Sequence, residues 1–239
     1  MDIFINNQKY SIDKKDFLND GASGNCYRLK RGNIDLSVKI YHEEDSWGFG
    51  EPWFPDEDTL KKLIKLSPET NPILLSQFLV RDKEGKYIGC AKDYVDDLGL
   101  DTLTEVFLQP KDIVVGYLRE IQAKVPLFNK AGIILDDWNT DNILFGTHLG
   151  KEGIYVFDDG NYYFSDDTSS NNLEFDHLIE DLVDNFIPEK NFGKVKPYIF
   201  DELHNSSDYL EHLIKLSNNS DTLGEGLLNH AQKIKKKYY

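Results

Sequence analysis

The sequence predicts an α+β chain in two lobes, on three observations. Runs rich in β-branched and aromatic residues, punctuated by Gly, Asn and Asp turns, recur up to Val95. Apolar residues at helical spacing take over from Leu103 onward. No internal repeat links the halves, so strands followed by helices read as segregated layers. The expected boundaries are a β-rich lobe over 1–95 and a reduced helical lobe over 96–239, together one domain.

The elements follow in order. Ile3, Ile5, Tyr10 and Ile12 flank Asn6-Asn7, which tolerate positive φ, so the chain opens with a hairpin. Cys26 to Lys30 and Asp35 to Tyr41 form a second strand pair around Arg31-Gly32-Asn33. Leu60, Leu63, Ile64 and Leu66 fall at helical spacing behind the acidic turn Asp56-Glu57-Asp58. Strand patterns return at Ile73 to Val80 and Tyr87 to Val95, joined by a turn at Asp82 to Gly85. One helix is expected over Lys111 to Lys130, kinked or ended by Pro126. Short strands near Ile143 to Phe145 and Ile154 to Phe157 precede helices at about 174–187, 196–204, 207–217 and 222–236. The lysines from Lys233 to Lys237 read as a basic last turn.

Composition narrows the class. With 40% hydrophobic and 13% aromatic residues, the chain of 239 residues has enough apolar material to fold throughout. A formal net charge of −15 argues against nucleic acid and anionic membranes as partners, while leaving a basic protein partner open. Cys26 and Cys90 are too few for a disulfide framework or a closed zinc site. The start of the sequence lacks a signal-peptide pattern and no run is long enough for membrane insertion. Cytoplasmic work is therefore expected, with secretion by a signal-less route as the other option.

Three stretches can carry chemistry. Asn19-Asp20-Gly21-Ala22-Ser23-Gly24 puts two glycines and a serine between strands, where backbone N–H groups can approach phosphate oxygens. Lys39 follows on the next strand, able to present an ammonium to the same phosphates. That strand is apolar enough to bury it, so it needs an acidic partner. Glu57 is the candidate, with Asp56 and Asp58 as rivals that register cannot separate. Finally, Asp137 and Asn142 enter one apolar run and Asp158 ends another, giving two sets of hard oxygen donors of the kind Mg²⁺ prefers.

In order and spacing, the set from Asn19 to Gly160 resembles the protein kinase superfamily. The resemblance implies a bilobal protein kinase-like fold with a β-rich N-lobe, a hinge at 91–95 and a helical C-lobe. It matches Gly21 and Gly24 to loop glycines, Asn19 to the first loop position, and Lys39 to the phosphate-binding lysine. Asp93-Tyr94-Val95 becomes the hinge that holds adenine, with Leu18, Cys26, Ser37 and Leu144 lining the base pocket. Asp137 becomes the catalytic aspartate, Asn142 and Asp158 the metal ligands, and Asp176 a helix residue bracing the catalytic loop.

The departures matter equally. Leu135 and Asp136 replace the His and Arg that precede the catalytic Asp, Asn139 replaces a common Lys, and Asp159 replaces the Phe after the metal-binding Asp. The stretch between Asp158 and Asp176 is too short for a full activation segment, as in aminoglycoside or choline kinases and minimal bacterial kinase-like proteins. The implied function is transfer of the γ-phosphoryl group from ATP, with Mg²⁺, to a hydroxyl on a protein Ser/Thr, without activation-loop control. The alternatives are a pseudokinase-type nucleotide-binding module acting through a protein partner, and a small-molecule kinase.

Overall fold

The computed structural model describes residues 1–21, 23–42, 55–97, 103–157 and 160–238. Its first half is a curled antiparallel sheet. The strands are β1 (Asp2–Ile5), β2 (Gln8–Ser11), β3 (Phe17–Gly21), β4 (Gly24–Arg31), β5 (Ile34–Tyr41), β6 (Phe78–Arg81) and β7 (Tyr87–Asp93). Among the described residues they form one sheet in the order β2-β1-β6-β7-β5-β4-β3. Asn6 and Asn7 both take positive φ in the two-residue turn between β1 and β2, as the sequence suggested.

Alternation gives this sheet two different faces. Leu36 and Val38 on β5 join Ile3, Ile5, Leu29, Val80 and Ala91 in a buried cluster inside the curl. Tyr41 and Cys90 belong to the opposite face, where helix α1 (Glu57–Thr70) packs Leu60 and Leu63 against the main core. The Asp56 carboxylate caps α1, accepting hydrogen bonds from the N–H groups of Asp58 and Thr59.

Helices α2 (Leu103–Val106), α3 (Lys111–Gln122), α4 (Val125–Ala131), α5 (Asn171–Phe186), α6 (Glu189–Phe192), α7 (Lys196–His204), α8 (Tyr209–Leu216) and α9 (Leu223–Tyr238) build the second half. Short strands sit among them: β8 (Asp96–Asp97), β9 (Ile133–Ile134), β10 (Ile143–His148), β11 (Lys151–Val156) and β12 (Tyr163–Phe164). Strand β10 pairs with β11 and β8, and β12 pairs with β9. The large core runs through this half around Phe107, Leu118, Phe128, Phe175 and Ile179. No helix among the described residues is long and apolar enough to cross a membrane.

Three expectations need correction. The helix expected over Lys111 to Lys130 is two, because the chain breaks at Ala123-Lys124 and Pro126 sits in the first turn of α4, where its missing N–H is harmless. Of the expected 73–80 strand only Phe78 to Val80 joins the sheet, in a strand that runs on to Arg81. Pro72 and Leu74 instead exchange backbone hydrogen bonds with Val156 at the end of β11, which draws this connector into the helical half. Helix α6 was not expected at all; four residues between Pro188 and Gly193 carry too little periodicity to register.

One buried side chain stitches the helical half together. Asn171, fully buried at the start of α5, accepts from the Leu135 N–H at 2.8 Å and donates to the Ile133 carbonyl and to Asn129 Oδ1, each at 2.7 Å. Asn171→Ala strips two buried backbone groups of their partner and should lower stability by about 3 kcal/mol. Urea unfolding of the two proteins at neutral pH measures this; a change under about 0.5 kcal/mol, the range of ordinary surface substitutions, would contradict it.

Candidate functional site

The sheet face opposite the apolar curl opens into a cleft of about 720 Å³. Register puts its residues there. Lys39 stands opposite Cys26 on β4 and Cys90 on β7, and Ser37 stands opposite Lys92. With a side-chain period of two, these five residues share one face, and all five line the cleft.

The hairpin of β3 and β4 forms one wall, contributing Leu18, Asn19, Gly21 and Ser23. His42 holds this wall in place. Its Nε2 lies 3.1 Å from the Gly21 carbonyl, and its N–H donates to the Ser23 carbonyl. Gly24, matched to a loop glycine, is buried and does not line the cleft. A Cβ on it would lie 2.3 Å from the Ile40 carbonyl oxygen, so glycine here lets β4 pack against β5.

At the end of β7 the chain passes through Asp93, Tyr94 and Val95, which line the cleft with Leu144 of β10 and with Leu74. This segment is firmly held. The Asp93 carboxylate accepts from Gln77 Nε2 at 2.9 Å and faces His148 Nε2 at 3.2 Å, while the Tyr94 N–H donates to the Asp35 carbonyl at 3.0 Å. Val95 packs with Leu74, Leu144 and Tyr155. Arg28 makes a two-point ion pair with Asp35, reaches Asp96 at 3.0 Å, and lies 3.7 Å from the centre of the Tyr94 ring.

The opposite wall is the loop after β9. Gly132 ends α4 at φ +67°, turning the chain into β9, which Asn171 fixes to α5. Leu135 and Trp138 are buried, and Trp138 Nε1 donates to the buried Tyr162 hydroxyl at 2.5 Å. Between these anchors Asp137 stands exposed at φ +64°, a left-handed conformation that Asp tolerates better than most residues.

Three amides converge on the Asp137 carboxylate. Asn139 Nδ2 donates to Oδ1 at 2.6 Å, and Asn142 and Asn161 donate to Oδ2 at 3.0 and 3.1 Å. Asn142 also donates to the Asp137 carbonyl at 2.8 Å. The Trp138–Tyr162 hydrogen bond explains the third contact, since it draws the neighbours Asp137 and Asn161 together. Asp181 of α5 accepts the Thr140 N–H at 2.7 Å, bracing the loop from below.

Of the residues expected at the site, Leu18, Gly21, Ser23, Cys26, Ser37, Lys39, Asp93, Val95, Asp137, Asn142 and Leu144 line this one cleft. Asp158 and Asp159 lie outside the described residues. Glu57 does not line the cleft. It pairs with Arg81 on β6 and with Lys61 one turn along α1, because β6 runs beside the start of the helix; Asp58 also faces Lys61, and Asp56 serves as the cap. The bracing role expected of Asp176 belongs to Asp181, while Asp176 accepts from the Tyr209 backbone and burial raises its pKa.

Lys92, Asn161, Asn171 and Asp181 were missed. The only signal for Lys92 was a lysine inside an apolar strand, the same signal that marked Lys39. Asn161 had none beyond following Asp159-Gly160.

Among the described residues no three His, Cys, Asp or Glu side chains cluster as a metal site, and Asn142 is the one expected metal ligand that the described residues include. With the Asn142 amide nitrogen committed to Asp137, its Oδ1 remains as a hard oxygen donor beside a carboxylate, and Mg²⁺ needs only a few such ligands from protein. Lys39 and the glycine-containing hairpin supply positive charge and backbone across the cleft. No protein-family model matches the chain, and no curated protein matches it significantly.

The Arg28–Asp35 ion pair gives a pH test. Hydrogen bonding from Arg28 holds the Asp35 carboxyl below the ordinary aspartate value, outweighing partial burial. A carboxylate depressed in the folded state adds stability above its unfolded pKa of about 3.9 and loses it as pH falls through the folded value. Asp35→Asn should therefore flatten the acid limb of the stability profile below about pH 4 relative to the parent. Urea midpoints measured between about pH 6 and pH 3 decide it, and identical acid limbs would contradict it.

Proposed function

We propose that the chain is an ATP- and Mg²⁺-dependent phosphotransferase with a bilobal protein kinase-like fold, acting on a hydroxyl acceptor, a protein Ser or Thr. One observation carries the reading. Gly21, Ser23 and Lys39 from the sheet share a single cleft with Asp137 and Asn142 from the helical half, in the order the kinase resemblance requires.

The roles follow from the chemistry of the groups. Lys39 presents an ammonium, and the hairpin presents backbone, to the phosphates. The tethered hinge at Asp93 to Val95 and the apolar Leu74, Val95 and Leu144 suit a flat base. Asn142 and Asp158 would hold Mg²⁺, which supplies charge neutralisation at the phosphates when bound. Asp137, oriented by three amides, would position the acceptor hydroxyl and take its proton as the oxygen attacks phosphorus. The exposed Asp136 in place of an arginine agrees with the absence of phosphate-driven control.

A nucleotide-binding module without turnover is the second reading. It is favoured by the engagement of both Asp137 carboxylate oxygens with amide donors, which an acceptor hydroxyl must share or displace.

Asp137→Asn suits the same left-handed backbone and separates the two readings. Loss of a general base should lower phosphoryl transfer by about 10²–10⁴-fold, while the rise in Tm on adding Mg·ATP is retained. Transfer measured by ADP release against a generic basic protein and against small alcohols tests this. An unchanged rate removes Asp137 from the reaction, and a Tm response with no ADP release in the parent supports the binding module.

A further inference from the structure

We infer that Lys92 is the positioning residue that ties the sheet to the segment leading into the candidate metal ligand Asp158. The inference rests on the phosphotransferase reading and names the group that aligns its site. A kinase-like cleft needs its two halves held in register, because phosphates gripped by the sheet must meet metal ligands from the helical half.

Lys92 has the placement to do this. It lies on β7 opposite Ser37, two residues along the cleft face from Cys90, and only 9% of its surface is exposed. Its ammonium donates to the Leu74 carbonyl at 2.9 Å and to the Phe157 carbonyl. Phe157 immediately precedes Asp158 in the chain.

The second side of Phe157 is equally informative. Its N–H donates to the Asn142 carbonyl at 3.0 Å. The residue before Asp158 is thus held between the backbone of one candidate metal ligand and a cation from the sheet. Leu74 completes the clamp, since its own N–H donates to the Val156 carbonyl at 2.8 Å. One ammonium therefore fixes β7, the Leu74 connector and the end of β11 at a single point. Methionine would fill similar volume and leave two inward-facing carbonyls without this donor.

Lys92 acts through Phe157, so its test reads segment order and metal dependence as well as rate. In the full chain without nucleotide, Lys92→Met should speed amide hydrogen exchange across residues 155–161 by about tenfold or more, with α5 unchanged. The Mg²⁺ concentration giving half of the ATP-induced rise in Tm should increase by about tenfold, the usual scale for losing a group that orients a metal ligand. The rise in Tm with ATP and EDTA should stay at the parental value. Lys92→Arg, which keeps a donor, should recover part of both effects. Should Lys92→Met fail to fold, Lys92→Leu, which also lacks a donor, carries the same two readouts.

The failures are distinguishable. A parent protein whose Tm rises with Mg·ATP, with a Lys92→Met variant within about twofold of it in exchange and Mg²⁺ dependence, overturns the Lys92 assignment alone. A parent that gains no Tm from ATP, with or without Mg²⁺, overturns the phosphotransferase reading and the role of Lys92 within it.

Discussion

The cleft depends on the register of β5 against β7. Lys39 opposite Cys90, and Ser37 opposite Lys92, put the polar residues of both strands on one face, while Leu36, Val38 and Ala91 are buried on the other. A slip of β5 by one residue against β7 would turn Lys39 into the apolar cluster and Leu36 and Val38 out into the cleft. The hydrophobic interior of the curled sheet thus fixes the position of the two cleft ammonium groups. The same register carries the chain to Asp93, after which β8 pairs with β10 of the helical half.

A comparable logic governs the opposite wall. Asp137 carries no core contact of its own, yet it sits between the buried Leu135 and Trp138. Asn171 secures the first of these and Tyr162 the second. The exposed carboxylate inherits its position from buried neighbours, and the three amides then set its orientation. Stability and site geometry meet in these few residues.

Much of this was legible in the sequence because local rules decided it. Asn6-Asn7, the Asp56 cap and the alternation in β5 each specify structure within a few residues, and they place the strands and α1 with little help from afar. The cleft residues from Leu18 to Asn142 were found through order and spacing, which survive without any knowledge of packing. What escaped was decided at long range. Glu57 could be placed at the start of a helix, but its partner depended on which strand lay alongside, and β6 brought Arg81. Asn161 and Asp181 reach the loop from far along the chain, through contacts that no local pattern announces. Gly24 stays ambiguous, because a glycine required for close strand packing looks the same in sequence as one required for phosphate.

The position of Lys92 also bears on which small molecules the cleft will accept. A compound that reaches toward Leu74 and Phe157 with a hydrocarbon group would have to desolvate an ammonium already held by two carbonyls, with nothing to offer in return. One that ends there in a carboxamide or sulfone oxygen could meet that cation directly. A ligand matched to this cleft would then carry an acceptor at its inner end, where a greasy ring would be the instinctive choice.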